Sequence, residues 1–418
     1  MQNINYLYNS LKEETMRALT RSYRADNMVE HYSVWENATI LPAKTIYIPS
    51  RCWVGGCVDS ENNLIEETII PCLMGWKYDI PEVSKEYPIA IYLGYMFSCY
   101  GHMLGDCLRW AWFLQSEEYH QFKRSGAKLL YISMAPLESW QEEILRLAGI
   151  TNVELVTEPV KVKKLIVPTP SIVTDDKEQN YWRPEFLKTI NLMIENAYKS
   201  AKRQLNYDKI YLSRCGIGDI MGESNVEQFY HKHGFKIIRP EHLTVAEQIV
   251  LLNNAKEVVA TEGSLSHNTI FCKTKTKVFL LRRSLHLNKY SLFINEMCDL
   301  DVQYIDCSLA LFTQKSIWWD RPFYIYVNEA IAHSLKTKAP IFPLRSFKQY
   351  MKICLAEPDF ASRVMNVEED YAILIQKEIE KLRQRNENII NKLFKHIPYL
   401  KHKQAILLRR LNNWIIEM

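Results

Sequence analysis

The sequence predicts an α/β protein built from two series of alternating strands and helices, with a helical end. Two observations carry this prediction. Short β-branched and aromatic runs such as KLLYISM and KVFLLRR alternate with amphipathic stretches such as ESWQEEILRLAG and TVAEQIVLLNNA. Strands separated by helices of that length pair in parallel through βαβ crossovers. From about residue 343 the alternation stops and charged helical segments take over.

The first series runs through KTIYIP, PIAIYLGY, a polar corner and the helical CLRWAWFLQSEEYHQF. It continues with KLLYISM, the helix ESWQEEILRLAG, and the strands VELVT and KKLIVPTP. Residues 184–205 read as a long helix crossing to the second unit. There KIYLSR is a strand, SNVEQFYHKHG a helix closed by Gly234, and FKIIRP a strand. TVAEQIVLLNNA opens with Thr244 and Glu247 in capping-box spacing, which sets a helix start. EVVATEGS is the next strand and its corner, followed by a short helix and the strands KVFLLRR and VQYID. The predicted units are 1–205, 206–342 and a basic helical extension, 343–418. In that extension Leu407, Leu408, Leu411, Trp414, Ile415 and Met418 share one face. Such an end suits an anionic membrane surface, a partner in an assembly complex, or packing back on the core.

Composition narrows the classes. A formal net charge of +4 over 418 residues does not suggest a nucleic-acid binder. Ten scattered cysteines without CxxC spacing suit a reducing compartment, and no secretory signal is visible at the start. The expectation is therefore cytoplasmic, with peripheral attachment at the inner membrane face an option. Residues 87–105 lack Asp, Glu, Lys and Arg, yet split into strand, loop and helix rather than one membrane span.

The chemistry concentrates at strand ends. Strands predicted to stop at Arg214, Pro240 and Thr261 place polar residues where doubly wound sheets bind ligands. The densest corner is ATEGSLSHNTIF, residues 260–271. A helix starting near Ser264 would point amides at an anion such as a diphosphate. Glu262 would accept from ribose hydroxyls, and His267 and Asn268 would reach phosphate or sugar. The same residues equally suit a capped helix whose polar groups satisfy local backbone.

The ordered set KIYLSR … NVEQFYHKHGFKIIRPEHLTVAEQIVLLNNAKEVVATEGSLSHNTIFC resembles the catalytic domain of glycosyltransferase family 61 and its bacterial capsular-polysaccharide relatives. The matching positions are Ser213, Arg214, Gly234, Phe235, Pro240, Glu241, Glu247, Gln248, Gly263, Ser264 and Asn268. YGHMLGDCLRWAW extends the likeness through Gly101, His102 and Asp106. The resemblance implies a GT-B fold, in which two Rossmann-like doubly wound domains face a cleft. It implies an inverting transfer from a nucleotide-sugar to a polysaccharide or glycolipid acceptor, with no essential metal and no other cofactor. Arg214, Glu241, Glu262, Gly263, Ser264, His267 and Asn268 would bind the donor. His102 or Asp106, at i and i+4, would be the base; the alternative is a hydrogen-bonded pair at a helix start. Two departures stand out: Glu262 occupies a position where many members carry His, and CGIGDIMGES lacks the second Arg of that loop. Arg239, Arg282 or Arg283 would then assist Arg214.

Other signals compete. The missing Arg favours a non-catalytic member of a polysaccharide assembly complex. Gly216, Gly218 and Gly222 imitate a dinucleotide fingerprint, the mark of an NAD-linked oxidoreductase, but Asp219 and Glu223 would repel a pyrophosphate. Asp299-Leu300-Asp301 has a metal-binding DxD form. Tyr95, Tyr100 and Trp110 suit either sugar stacking or the core.

Overall fold

The computed structural model describes residues 5–6, 31–45, 53–70, 78–80, 82–83, 85–133, 135–173, 180–216, 220–283, 288–308, 323–340, 346 and 349–350. The predicted helices beyond residue 350, with the basic face of Leu407 to Met418, lie outside the described residues, as does Asp219. Strands are numbered in chain order: β1 (Asn5–Tyr6), β2 (Tyr32–Thr45), β3 (Trp53–Val58), β4 (Lys85–Met96), β5 (Lys128–Ser133), β6 (Val153–Val156) and β7 (Val160–Pro168). The second half adds β8 (Lys209–Leu212), β9 (Lys236–Ile238), β10 (Glu257–Thr261), β11 (Lys277–Arg282) and β12 (Asp301–Asp306).

These form two six-stranded sheets. The first has the order β3-β2-β7-β4-β5-β6, with β7, β4, β5 and β6 parallel and β2 and β3 antiparallel at one edge. The chain runs outward from β4 to β6 and then returns to the other side of β4 as β7. The second sheet is wholly parallel in the order β1-β12-β11-β10-β8-β9. Here the order reverses between β8 and β10. Both reversals are the switch points at which open α/β sheets hold ligands, and the predicted site residues follow β4, β8 and β10.

Period-2 alternation divides the second sheet cleanly. Ile210, Leu212, Val258, Ala260, Val278 and Leu280 belong to one large cluster that also contains much of the core of the first sheet. Tyr211, Val259, Phe279, Leu281 and Ile305 face a smaller cluster with Val226, Tyr230 and Ile331. One apolar core therefore runs through both sheets. The predicted crossing helix, observed as Glu185–Ser200, is anchored on both sides. Asn196 donates to the Leu147 carbonyl at 2.8 Å, and the Tyr198 hydroxyl reaches Asn254 at 2.7 Å. Glu143, on the helix Ser139–Leu147, reaches across to accept from the Val245 and Ala246 amides at 2.9 and 3.1 Å. It thereby caps a helix, Val245–Asn254, whose own Thr244–Glu247 capping box is formed as predicted.

The helical CLRWAWFLQSEEYHQF is not one helix. It divides into a turn, a 3₁₀ stretch Ala111–Gln115 and the α-helix Glu117–Arg124. Ser116 is the reason: its side chain accepts from the Tyr119 amide at 3.1 Å and starts a new helix. The 87–105 stretch is strand β4, a bend and the helix Tyr100–Gly105. No helix among the described residues is long and apolar enough to cross a membrane.

Candidate functional site

The helix Tyr100–Gly105 follows the carboxyl end of β4 and lies directly on the corner that follows β10. Two glycines permit the contact. A Cβ on Gly101 would come within 2.8 Å of His267 Nδ1 and Ser264 Oγ; one on Gly105 would come within 2.5 Å of Tyr290 Cε1. The predicted acceptor-side and donor-side residues are thus brought together across the two halves of the chain. The Tyr100 hydroxyl donates to Asn268 Oδ1 at 2.7 Å, and Cys99 Sγ lies 3.7 Å from Ser264 Oγ.

His102 and Asp106 stand at i and i+4, with Asp106 just past the helix end and its amide bonded to the His102 carbonyl at 2.7 Å. Their side chains meet at 2.6 Å, His102 Nδ1 to Asp106 Oδ2. The other carboxylate oxygen is engaged by Arg109 and by the hydroxyl of Tyr290. Asp106 is fully buried, whereas 35% of the His102 side chain is exposed. Access therefore distinguishes the two: only the imidazole can meet a substrate. Burial by itself would lower the His102 pKa, but the hydrogen bond and charge of Asp106 outweigh it and the net shift is upward. Burial would raise Asp106; Arg109, His102 and Tyr290 hold it below the ordinary carboxylate value instead.

The corner itself differs from the sequence reading. No α-helix starts at Ser264. A turn leads into a six-residue 3₁₀ helix, Ser266–Phe271, with every residue buried. Ser266 Oγ accepts from the Gly263 amide at 3.2 Å, and Thr269 Oγ1 bonds back to the Ser266 carbonyl at 2.8 Å. These local side-chain bonds compete with the α ladder, and the Gly263 amide is taken up within the corner. Gly263 has φ +124°, and a Cβ there would lie 2.7 Å from Arg283 Nη2, so a guanidinium sits directly over the corner.

The remaining predicted residues divide by burial. Glu262 turns inward: it is buried, faces Arg282 at 3.7 Å and accepts from the Asn288 amide at 3.0 Å. Burial raises its pKa, Arg282 opposing. His267 is buried against the Gly101 backbone, and burial pushes its imidazole down to about 4, so it is neutral at physiological pH. Glu241 is exposed on the 3₁₀ turn Pro240–His242. Arg214 is half-buried, with its amide on Glu223 Oε1 at 3.0 Å. Arg239 is occupied by the Cys215 carbonyl at 2.5 Å and by Glu227 at 3.5 Å. Tyr95 and Trp110 are core residues, leaving half-buried Tyr100 as the one of the three near the corner. Asp299 pairs with Lys275 at 2.6 Å, and no cluster of metal-ligating side chains occurs among the described residues.

With these residues placed, the comparison with known families can be read on the structure. The sequence model of the glycosyltransferase 61 family matches residues 100–279. The matched segment begins on the glycine-bearing helix with His102 and ends in β11, enclosing the corner. No curated protein matches the chain. The match supports the glycosyltransferase 61 family and with it a glycosyltransferase, an enzyme that requires a sugar donor and an acceptor. Several positions of the motif have structural duties in the fold. Glu247 holds its capping box and Arg203, and Gln248 donates to the Pro240 and Leu243 carbonyls. Ser213 bonds Glu227 and receives the Cys215 amide. Sequence reasoning missed Arg109 and Tyr290. Arg109 stands three residues after Asp106, a spacing visible in the sequence, whereas Tyr290 lies in a segment without a motif and only the fold joins it to Asp106.

Proposed function

We propose that the protein is an inverting glycosyltransferase of GT-B type, its two sheets forming the donor and acceptor lobes. It moves a sugar from a nucleotide-diphosphate donor to a polysaccharide or glycolipid acceptor in capsule or cell-surface polysaccharide synthesis, at the cytoplasmic side and without an essential metal. The single observation that carries this reading is the His102–Asp106 pair beside the Gly263–Asn268 corner. One imidazole nitrogen is held by a buried carboxylate, and the ring remains accessible. That is the arrangement of a general base whose imidazolium is stabilised as it forms.

In this reading His102 Nε2 removes the proton from the acceptor hydroxyl as its oxygen attacks the anomeric carbon. The bond to the donor phosphate breaks on the opposite face, which inverts the configuration. Arg214 and Arg283 neutralise the leaving diphosphate, and Asn268 and Ser264 contact donor polar groups. Glu262 acts by bracing the start of the Tyr290 helix. The missing second Arg in CGIGDIMGES favours a second reading, a non-catalytic assembly component that retains the fold. A screen of nucleotide-sugars for release of free nucleotide separates the two. The enzyme reading expects one donor to be turned over, with His102→Ala slower by about a hundredfold to ten-thousandfold. Absence of turnover together with no thermal stabilisation by any nucleoside diphosphate would leave the assembly role.

A further inference from the structure

The carboxylate of Asp106 has two separately assigned oxygens. Oδ2 holds His102 at 2.6 Å; Oδ1 takes Arg109 and the Tyr290 hydroxyl, and Arg109 Nη2 also donates to that hydroxyl at 3.0 Å. Arg109 and Asp106 are local neighbours, but Tyr290 comes from the second sheet's side of the molecule, on the helix Lys289–Met297. Its placement is tightly determined. Asn288 Oδ1 accepts from the Tyr290 amide at 2.9 Å, and the Asn288 amide donates to Glu262 of the corner. Gly105 lies beneath the ring, and His267 flanks it with centroids 5.6 Å apart. A continuous chain of contacts thus runs from the corner, through Glu262, Asn288 and Tyr290, to the carboxylate behind His102.

We propose that Tyr290 is a positioning residue for the base: by donating to Asp106 it sets how strongly that carboxylate holds a proton on His102. This rests on the transferase reading, in which His102 accepts the proton. A hydrogen bond donated to a buried anion disperses its charge and weakens its pull on the imidazolium. The ionisable groups around the pair are Cys99, Asp106 and Arg109 from its own segment, with Tyr290 and His267 facing it from the other half. Of these, Tyr290 and Arg109 touch the carboxylate oxygen that His102 does not use. Because Tyr290 belongs to the corner's side, the strength of the base depends on the two sheets being docked as they are here.

The test is the full-length Tyr290→Phe protein. Its His102 imidazole is titrated by proton NMR without substrate, the signal assigned by its loss in His102→Ala. The expected result is an upward shift of the His102 midpoint, with the acid limb of kcat moving upward in step and the donor KM within about twofold of wild type. A fluorinated tyrosine at position 290, a stronger donor of the same shape, should move the midpoint downward. An unchanged midpoint in both proteins overturns the proposal even if activity falls, since a purely structural loss lowers kcat without moving the limb. Should Tyr290→Phe fail to fold, the fluorinated protein alone decides by the sign of its shift. Retention of full activity in His102→Ala would overturn the assignment of His102 as base, and absence of turnover with every nucleotide-sugar would overturn the transferase reading; in either case the titration would still report on Tyr290.

Discussion

Glu223 offers a quantitative test of how the second sheet is built. It opens the helix Glu223–Lys232 directly beyond the β8 switch point, and it is buried. Oε1 accepts from the Arg214 amide at 3.0 Å and the Tyr211 hydroxyl at 3.2 Å, while Oε2 has no partner among the described residues. Burial pushes the carboxyl from its ordinary 4.5 up to about 7, the Arg214 amide opposing. Between those values the folded chain keeps a proton that the unfolded chain has lost, so stability must fall as pH rises through this window. A rise of that size corresponds to about 3 kcal/mol in full. Glu223→Gln keeps an acceptor for Arg214 and Tyr211 but leaves a buried amide unpartnered, at a cost of about 1 kcal/mol. The variant should therefore be slightly less stable than wild type near pH 5 and more stable by about 2 kcal/mol near pH 8. Urea unfolding of both proteins across that range measures the difference, and every other titrating group cancels. Parallel stability curves would refute the reasoning, because they would mean that Glu223 ionises freely in the folded protein.

Other perturbations probe the contact between the halves. Gly105→Ala should destabilise by about 1–3 kcal/mol, since its Cβ would meet the Tyr290 ring; thermal melting measures it. Gly263→Ala combines a strained φ of +124° with a clash against Arg283 and should weaken donor binding as well as stability, read as a raised donor KM. Glu143→Ala removes a charge-assisted cap from the Val245 and Ala246 amides and should cost about 1–2 kcal/mol in urea unfolding. Activity should rise with pH through a limb above 6.5, because the His102 pKa is raised and the base works only when deprotonated; a limb below 6.5 would contradict the pairing with Asp106.

The second sheet was legible because its strands are short, apolar and separated by helices with clear starts, such as Thr244–Glu247. The first sheet was only partly so. β2 carries Asn37 at φ +54° and a register shift between Leu41 and Lys44 around Pro42, which breaks the alternation a strand would show. The spacing of His102 and Asp106 was readable, and so was the polarity of the corner. Its direction was not: whether Glu262 faces a ligand or Arg282 depends on a neighbour twenty residues away, which periodicity does not encode. The same holds for Tyr290, whose partners Asp106 and Arg109 are distant in sequence and meet it only through Gly105.

That a single apolar cluster spans both sheets also bears on motion. Halves joined in this way cannot swing apart as rigid jaws around a linker without exposing their common interior to water. On the transferase reading, reactants would then enter and leave through small local rearrangements at the rim, and heat or denaturant should melt the described region in one step rather than sheet by sheet.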